Sequence, residues 1–248
     1  MNQLTFQTDT GLSSRLCRMA GVAAWVLLVY SLVTIALLLI VGGPPESALE
    51  SFEILQANRL VGLLRLDLLT FLVMPFYYLL FMGLYLALRQ ASPAGSFLAL
   101  VLVFVGVTLF LTTPSALSLA YLSDRHAAAS TDMERSLYLA AGEGLIASDM
   151  WHSTAALISG LFVQGAGVLI SLAMLRSQVF SRVTAYLGIV IFGLDLLHIL
   201  AGLFSPLVSF VLMATAGPLY LLWFPLVARR LYRLGRVEPG LPSEALDY

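Results

Sequence analysis

The 248-residue chain is 60% hydrophobic and 11% charged, with a mean hydropathy of +0.93; a soluble domain carries about 25% charged residues, so water is excluded as its main solvent. Net charge is −1, and all 13 basic residues are arginine, which excludes chemistry built on a lysine Schiff base, retinal and pyridoxal cofactors included. Cys17 is the only cysteine, so an intramolecular disulfide and a cysteine-rich zinc site are excluded too, and no cofactor is expected.

In chain order, residues 1–18 read as a cytoplasmic N-terminal segment ending in Arg15 and Arg18. The apolar run 19–41 that follows is too long for a secretory leader, whose core is about 7 to 15 residues. It matches the roughly 20 residues that cross about 30 Å of hydrocarbon. Later apolar runs predict spans over 61–88, 96–122, 150–175, 183–204 and 207–229. The expected fold class is therefore all-α, an integral membrane bundle of six transmembrane helices over 19–231, followed by a cytoplasmic tail over 232–248.

Between the third and fourth spans, Thr131-Asp132-Met133-Glu134 has the capping-box pattern that opens a helix. Met133, Leu137, Ala141 and Leu145 then recur at helical spacing, predicting a short amphipathic helix on the membrane surface; Gly142 and Gly144 argue against it. In the fourth span Ala156 and Gly160, flanked by Ala155 and Ser159, form small-xxx-small pairs that allow close helix approach. Pro75, Pro114, Pro218 and Pro225 predict kinks within spans.

Arginines near helix ends are retained on the cytoplasmic side. One face holds Arg15, Arg18, Arg89, Arg176, Arg182, Arg229, Arg230, Arg233 and Arg236; the other holds Arg59, Arg65, Arg125 and Arg135 among many acids. That asymmetry predicts both termini inside. The Arg229–Arg236 run reads as a topological anchor beside anionic membrane lipid.

Ionisable groups inside hydrocarbon cost about 2.5 to 3.5 kcal/mol each and face the protein interior. Arg65 and Asp67 in the second span, Asp149 and His152 at the start of the fourth, and Asp195 and His198 in the fifth form one polar cluster, structural or ligand-binding, at a common depth near the outer face. Spacing of three lets Asp195 touch His198 and Asp149 touch His152, whereas Arg65 and Asp67 lie on different faces. Arg65 is expected to pair with Asp195 or Asp149. Two Asp-x-x-His pairs also resemble part of a divalent-metal site, though no third intramembrane histidine completes a ligand set. Tyr77, Tyr78, Tyr85, Tyr220 and Trp223 offer a lining for a small apolar ligand, or ordinary packing. Phosphate loops, serine nucleophile elbows and nucleic-acid patches are absent from the sequence.

The stretches Arg18-Met19-Ala20-Gly21, Leu64-Arg65-Leu66-Asp67-Leu68, Gly83-Leu84-Tyr85, Leu175-Arg176-Ser177 and Ala185-Tyr186-Leu187-Gly188, in this order among six spans, resemble the bacterial multi-pass family catalogued as domain of unknown function 4386. The resemblance covers roughly residues 15 to 234. It implies a bacterial cytoplasmic (plasma) membrane and a similar helical bundle, and it transfers no activity or catalytic residue. The function expected is a structural, sensory or partner-binding membrane subunit, more a scaffold than an enzyme. The alternatives are small-molecule or lipid binding or transport, and an intramembrane metal-dependent hydrolase.

Overall fold

The computed structural model of the chain describes residues 2–113, 115–150 and 152–236, with residues 2–10 described as backbone only. Pro114 and the 237–248 part of the expected tail lie outside the described residues. Among the described residues the chain is helical, without a strand. The helices are α1 (Asn2–Val41), α2 (Ala48–Ala57), α3 (Arg59–Arg65), α4 (Leu68–Val73), α5 (Phe76–Leu88), α6 (Pro93–Phe110), α7 (Ala116–Ala128), α8 (Asp132–Ile146), α9 (Thr154–Leu175), α10 (Arg182–Gly202) and α11 (Pro206–Leu234).

Six segments are long and apolar enough to cross a membrane: Gly11–Val41, Leu68–Leu88, Pro93–Phe110, Thr154–Leu175, Arg182–Gly202 and Pro206–Leu234. The number of spans expected from sequence therefore holds, and several boundaries move: the first spanning segment starts at Gly11 rather than at 19, and the last runs to Leu234 rather than to 229. Residues 61–65 leave the second span to form α3, and the third span stops at Phe110, so that 116–122 belong to α7. Apolar residues resume on both sides of each break, so a span-length window averages over Asp67 and over the Thr-Thr-Pro-Ser stretch at 112–115 and joins the segments. The kink expected at Pro75 falls between α4 and α5, whereas α11 runs unbroken through Pro218 and Pro225.

The chain divides into two compact units, one of residues 1–28, 76–104 and 164–248 and one of residues 29–75 and 105–163. In the first unit α10 and α11 pack along each other and α11 also meets α5. The core there is aromatic: the Phe192 ring stands edge-on to Trp223 at 5.0 Å and to Tyr220 at 5.7 Å, and Tyr220 stacks on Phe224 at 5.4 Å. Trp223 is fully buried, so Tyr220 and Trp223 are occupied in packing. Small residues set the helix crossings: at that of α1 with α5 a Cβ on Gly83 would lie 2.2 Å from the Ala20 Cβ. Cys17 is buried in α1, as its apolar context implies.

In the second unit α2, α3, α7 and α8 form a cluster of helices of 7 to 15 residues, all shorter than the roughly 20 residues a crossing requires. Their shared core is Ala48, Phe52, Leu55, Leu119, Ala120 and Ile146. The expected amphipathic helix is α8, opened by the full Thr131–Glu134 capping box. Gly142 is the reason it fits, since a Cβ there would meet the Ala48 Cβ at 2.7 Å and the Phe52 ring at 3.0 Å. In the same unit Ser159 of the fourth span's small-residue face is buried, and its carbonyl would lie 3.1 Å from a Cβ on Gly106 of α6.

Candidate functional site

Asp67 sits in the break between α3 and α4 rather than within a spanning helix, and it is 2% exposed. Its Oδ1 accepts the Ala116 amide at 3.0 Å, and its Oδ2 accepts both the Ser115 amide and the Ser115 hydroxyl. Those amides are the first of α7, which no intrahelical acceptor can satisfy. Asp67 thus caps a helix 48 residues further along the chain, and its negative charge complements the positive end of that helix. Burial pushes the Asp67 carboxyl above the ordinary aspartate range and the nearby Asp149 adds to this, while the Ser115 and Ala116 amides pull it down.

Arg65, at the end of α3, donates from Nε to the Gly43 carbonyl at 2.9 Å and from Nη2 to Glu50 Oε1 at 3.2 Å. The expected partners, Asp149 and Asp195, are corrected to Glu50. The turn after α1 makes this possible: Gly42 takes φ +98°, a conformation that favours glycine and presents the next carbonyl to the guanidinium. Glu50 caps its own helix's approach as well, because its Oε2 accepts the Glu46 amide at 3.0 Å.

Asp149 and His152 pair as their spacing predicts, with His152 Nδ1 2.9 Å from Asp149 Oδ1. The same Oδ1 accepts the His152 amide at 3.1 Å, and Nδ1 lies 3.2 Å from the Ile146 carbonyl. The pair therefore ties the turn between α8 and α9. Arg65, Asp67, Asp149 and His152 all belong to the second unit, and Asp195 and His198 to the first.

In the first unit Asp195 and His198 are close enough to interact electrostatically, as their spacing allows, while each makes its hydrogen bond to α11. Tyr220 donates its hydroxyl to Asp195 Oδ2 at 2.7 Å, with Gln164 Oε1 as a longer alternative at 3.4 Å. His198 Nδ1 lies 2.8 Å from Ser209 Oγ and 3.2 Å from the Ser209 carbonyl, linking α10 to the first turns of α11. Asp195 lies one helical turn before His198 on α10 and reaches α11 further along, at Tyr220.

Among the described residues no three His, Cys, Asp or Glu side chains converge to hold a metal ion. Two concavities stand out. One, of about 460 Å³, is an apolar groove between α7 and α8 lined by Leu117, Tyr121, Leu122, Ala141 and Leu145; exposed Met133 and Leu137 lie on α8 as well. The other, of about 640 Å³, lies among the α9–α10 turn, the start of α10 and the last turns of α11, and four arginines line it.

Sequence reasoning passed over α2, although Ser47-Ala48-Leu49-Glu50 carries the same Ser/Thr-x-x-Glu signature as Thr131–Glu134. In the structure Ser47 Oγ does accept the Glu50 amide, at 3.2 Å. No local signal marks the reach of Asp67 to α7. Compared with known proteins, the chain matches no family model, no curated protein and no solved structure.

Proposed function

We propose that the chain is a multi-pass subunit of a bacterial cytoplasmic membrane, both termini inside, whose work is structural, sensory or partner-binding. The observation that carries this reading is the fate of the six candidate residues. Each is hydrogen-bonded within the chain: Asp67 to α7 amides, Arg65 to Glu50 and Gly43, Asp149 and His152 to each other, Asp195 to Tyr220, and His198 to Ser209. Polar groups consumed in this way fix helix ends and register. The exposed apolar residues Leu117, Tyr121, Met133 and Leu137 on α7 and α8 support a partner-binding role for the short-helix cluster. The arginine asymmetry supports the orientation, and the bacterial membrane rests on the resemblance of short stretches of the sequence to the family catalogued as domain of unknown function 4386.

Thermal unfolding of detergent-solubilised protein tests the architectural reading. Asp195→Ala and Tyr220→Phe should each lower Tm, with a coupling of about 0.5 to 1.5 kcal/mol between them, and divalent ions should change neither result. An unchanged Tm for Asp195→Ala together with loss of an ion-induced shift would replace architecture by ligand binding. Reporter fusions after Arg89, Arg176 and Arg236 should read cytoplasmic, and fusions within 46–55 and 124–135 should read outside; a periplasmic C-terminus sinks the orientation.

A further inference from the structure

The larger of the two concavities brings Arg182, Arg229, Arg230 and Arg233 around one space of about 640 Å³, together with the polar turn that contains Ser177, Gln178 and Ser181. Four positive charges drawn together in this way repel one another unless an anion joins them. Among the described residues no acidic side chain lines the cavity, and the side chains of Arg182, Arg229 and Arg233 make no hydrogen bond or ion pair. Arg230 is different: its Nε donates to the Val179 carbonyl, which seats the turn against α11 and leaves its terminal nitrogens available.

The place of the cavity along the helices identifies the anion. It lies where α9 ends at Leu175 and α10 begins at Arg182, the junction of apolar spans with a polar turn. It therefore stands at headgroup level for any membrane these helices cross. Above the arginines, Leu226 lines the same cavity, and Leu222 one turn further is exposed. A ligand that satisfies both parts has a compact, multiply accepting anion joined to an apolar tail. Guanidinium groups match phosphate oxygens in paired, planar geometry, and basic pockets beside spanning helices take anionic headgroups.

We propose that this cavity is a binding site for the phosphate headgroup of an anionic phospholipid, with acyl chains lying along the Leu222–Leu226 face of α11. The assignment stands on this cavity alone, independent of whether the protein is a scaffold, a sensor or a carrier, and of which side faces the cytoplasm.

Native mass spectrometry and thermal unfolding of the full chain in neutral detergent, titrated separately with phosphatidylglycerol, phosphatidylcholine and inorganic phosphate, test it. Phosphatidylglycerol should bind in a retained one-to-one complex and raise Tm, with phosphatidylcholine and phosphate far weaker. Removing two cavity charges in Arg182→Gln/Arg229→Gln should weaken phosphatidylglycerol roughly thirtyfold, about 2 kcal/mol. Arg230 is left intact because it holds the turn. The control Arg176→Gln/Arg236→Gln removes the same charge from outside the cavity and should change affinity less than about threefold, about 0.7 kcal/mol. Circular dichroism and the unliganded Tm of each variant establish that it is folded. Equal loss in both double variants would reduce the effect to net charge and overturn the site. Equal binding of phosphatidylcholine would overturn phosphate-charge recognition, and an equal shift with inorganic phosphate would overturn the lipid in favour of a free anion.

Discussion

In the unit that contains α5, α10 and α11, helices meet mainly through glycine, alanine and aromatic rings, with Asp195–Tyr220 and His198–Ser209 as polar links; in the unit that contains α2, α3, α7 and α8, carboxylates, capping hydroxyls and arginines join them. The difference follows the solvent each contact has to displace. Between apolar spans, lipid tails compete on equal terms with leucine, so close van der Waals fit decides which helices associate. Short helices of 7 to 15 residues leave a large share of their backbone amides and carbonyls unsatisfied at the ends. Their cohesion comes from groups that complete those ends, over a small apolar core. The ion pairs among the described residues accordingly all fall in this second unit.

The sharpest way to break this contrast is a methyl group. In Gly83→Ala the new Cβ would meet the Ala20 Cβ at 2.2 Å, and no rotamer relieves a contact between two Cβ atoms. We expect a loss of about 3 kcal/mol, at the upper end of overpacking costs, despite the roughly 1 kcal/mol that alanine gains in helix propensity. Gly193→Ala on α10 meets nothing within 4 Å and should be neutral or slightly stabilising. Thermal unfolding in detergent reads both; equal Tm values would mean that close helix approach does not hold this unit together.

Asp67→Ala applies the equivalent test to the second unit. It strands the Ser115 and Ala116 amides at the buried start of α7, at a cost of about 1 to 3 kcal/mol. Hydrogen exchange should then accelerate first at the N-terminal turn of α7. Uniform acceleration across the chain, or none at Ala116, would contradict a capping role.

The smallest effect is at the capping box of α8. Thr131→Ala should cost about 1 kcal/mol, confined to the first turn of α8 in hydrogen exchange. The Ser130 and Thr131 amides hold the Glu134 carboxyl below the ordinary glutamate range. A carboxyl lowered by folding contributes stability above its unfolded value, about 4.3, and that contribution is lost as pH falls through the folded value. Protection of this turn, corrected for intrinsic exchange, should therefore fall below about pH 4.3 in the natural chain and stay flat in Glu134→Gln. An equal pH response in both would assign the titration elsewhere.

How much of this was legible in the sequence depends on the range of the interaction concerned. Six apolar runs announce six spanning segments because hydropathy is a property of a window. The Thr131 capping box and the Asp149–His152 pair are legible because three or four residues contain the whole interaction. The breaks at 66–67 and 111–115 are not, because apolar residues resume directly on both sides of Asp67 and of the short Thr-Thr-Pro-Ser stretch, and because Asp67, which links the two breaks, acts across the fold. Arg65 shows the same limit: burial demands an acid, and several acids lie on the same side, but only the turn at Gly42 selects Glu50.

The two long-range caps also carry a clock. Ala48 donates its amide to Glu143 at 2.8 Å, a partner 95 residues later in the chain, and Asp67 waits 48 residues for Ser115. A chain made from its N-terminus releases α2 and α3 long before α7 and α8 exist. The start of α2 therefore remains without its Glu143 acceptor while the second and third spans are inserted. Completion of the short-helix cluster is a late event of biogenesis, set by the emergence of α8, the last of its helices to be made.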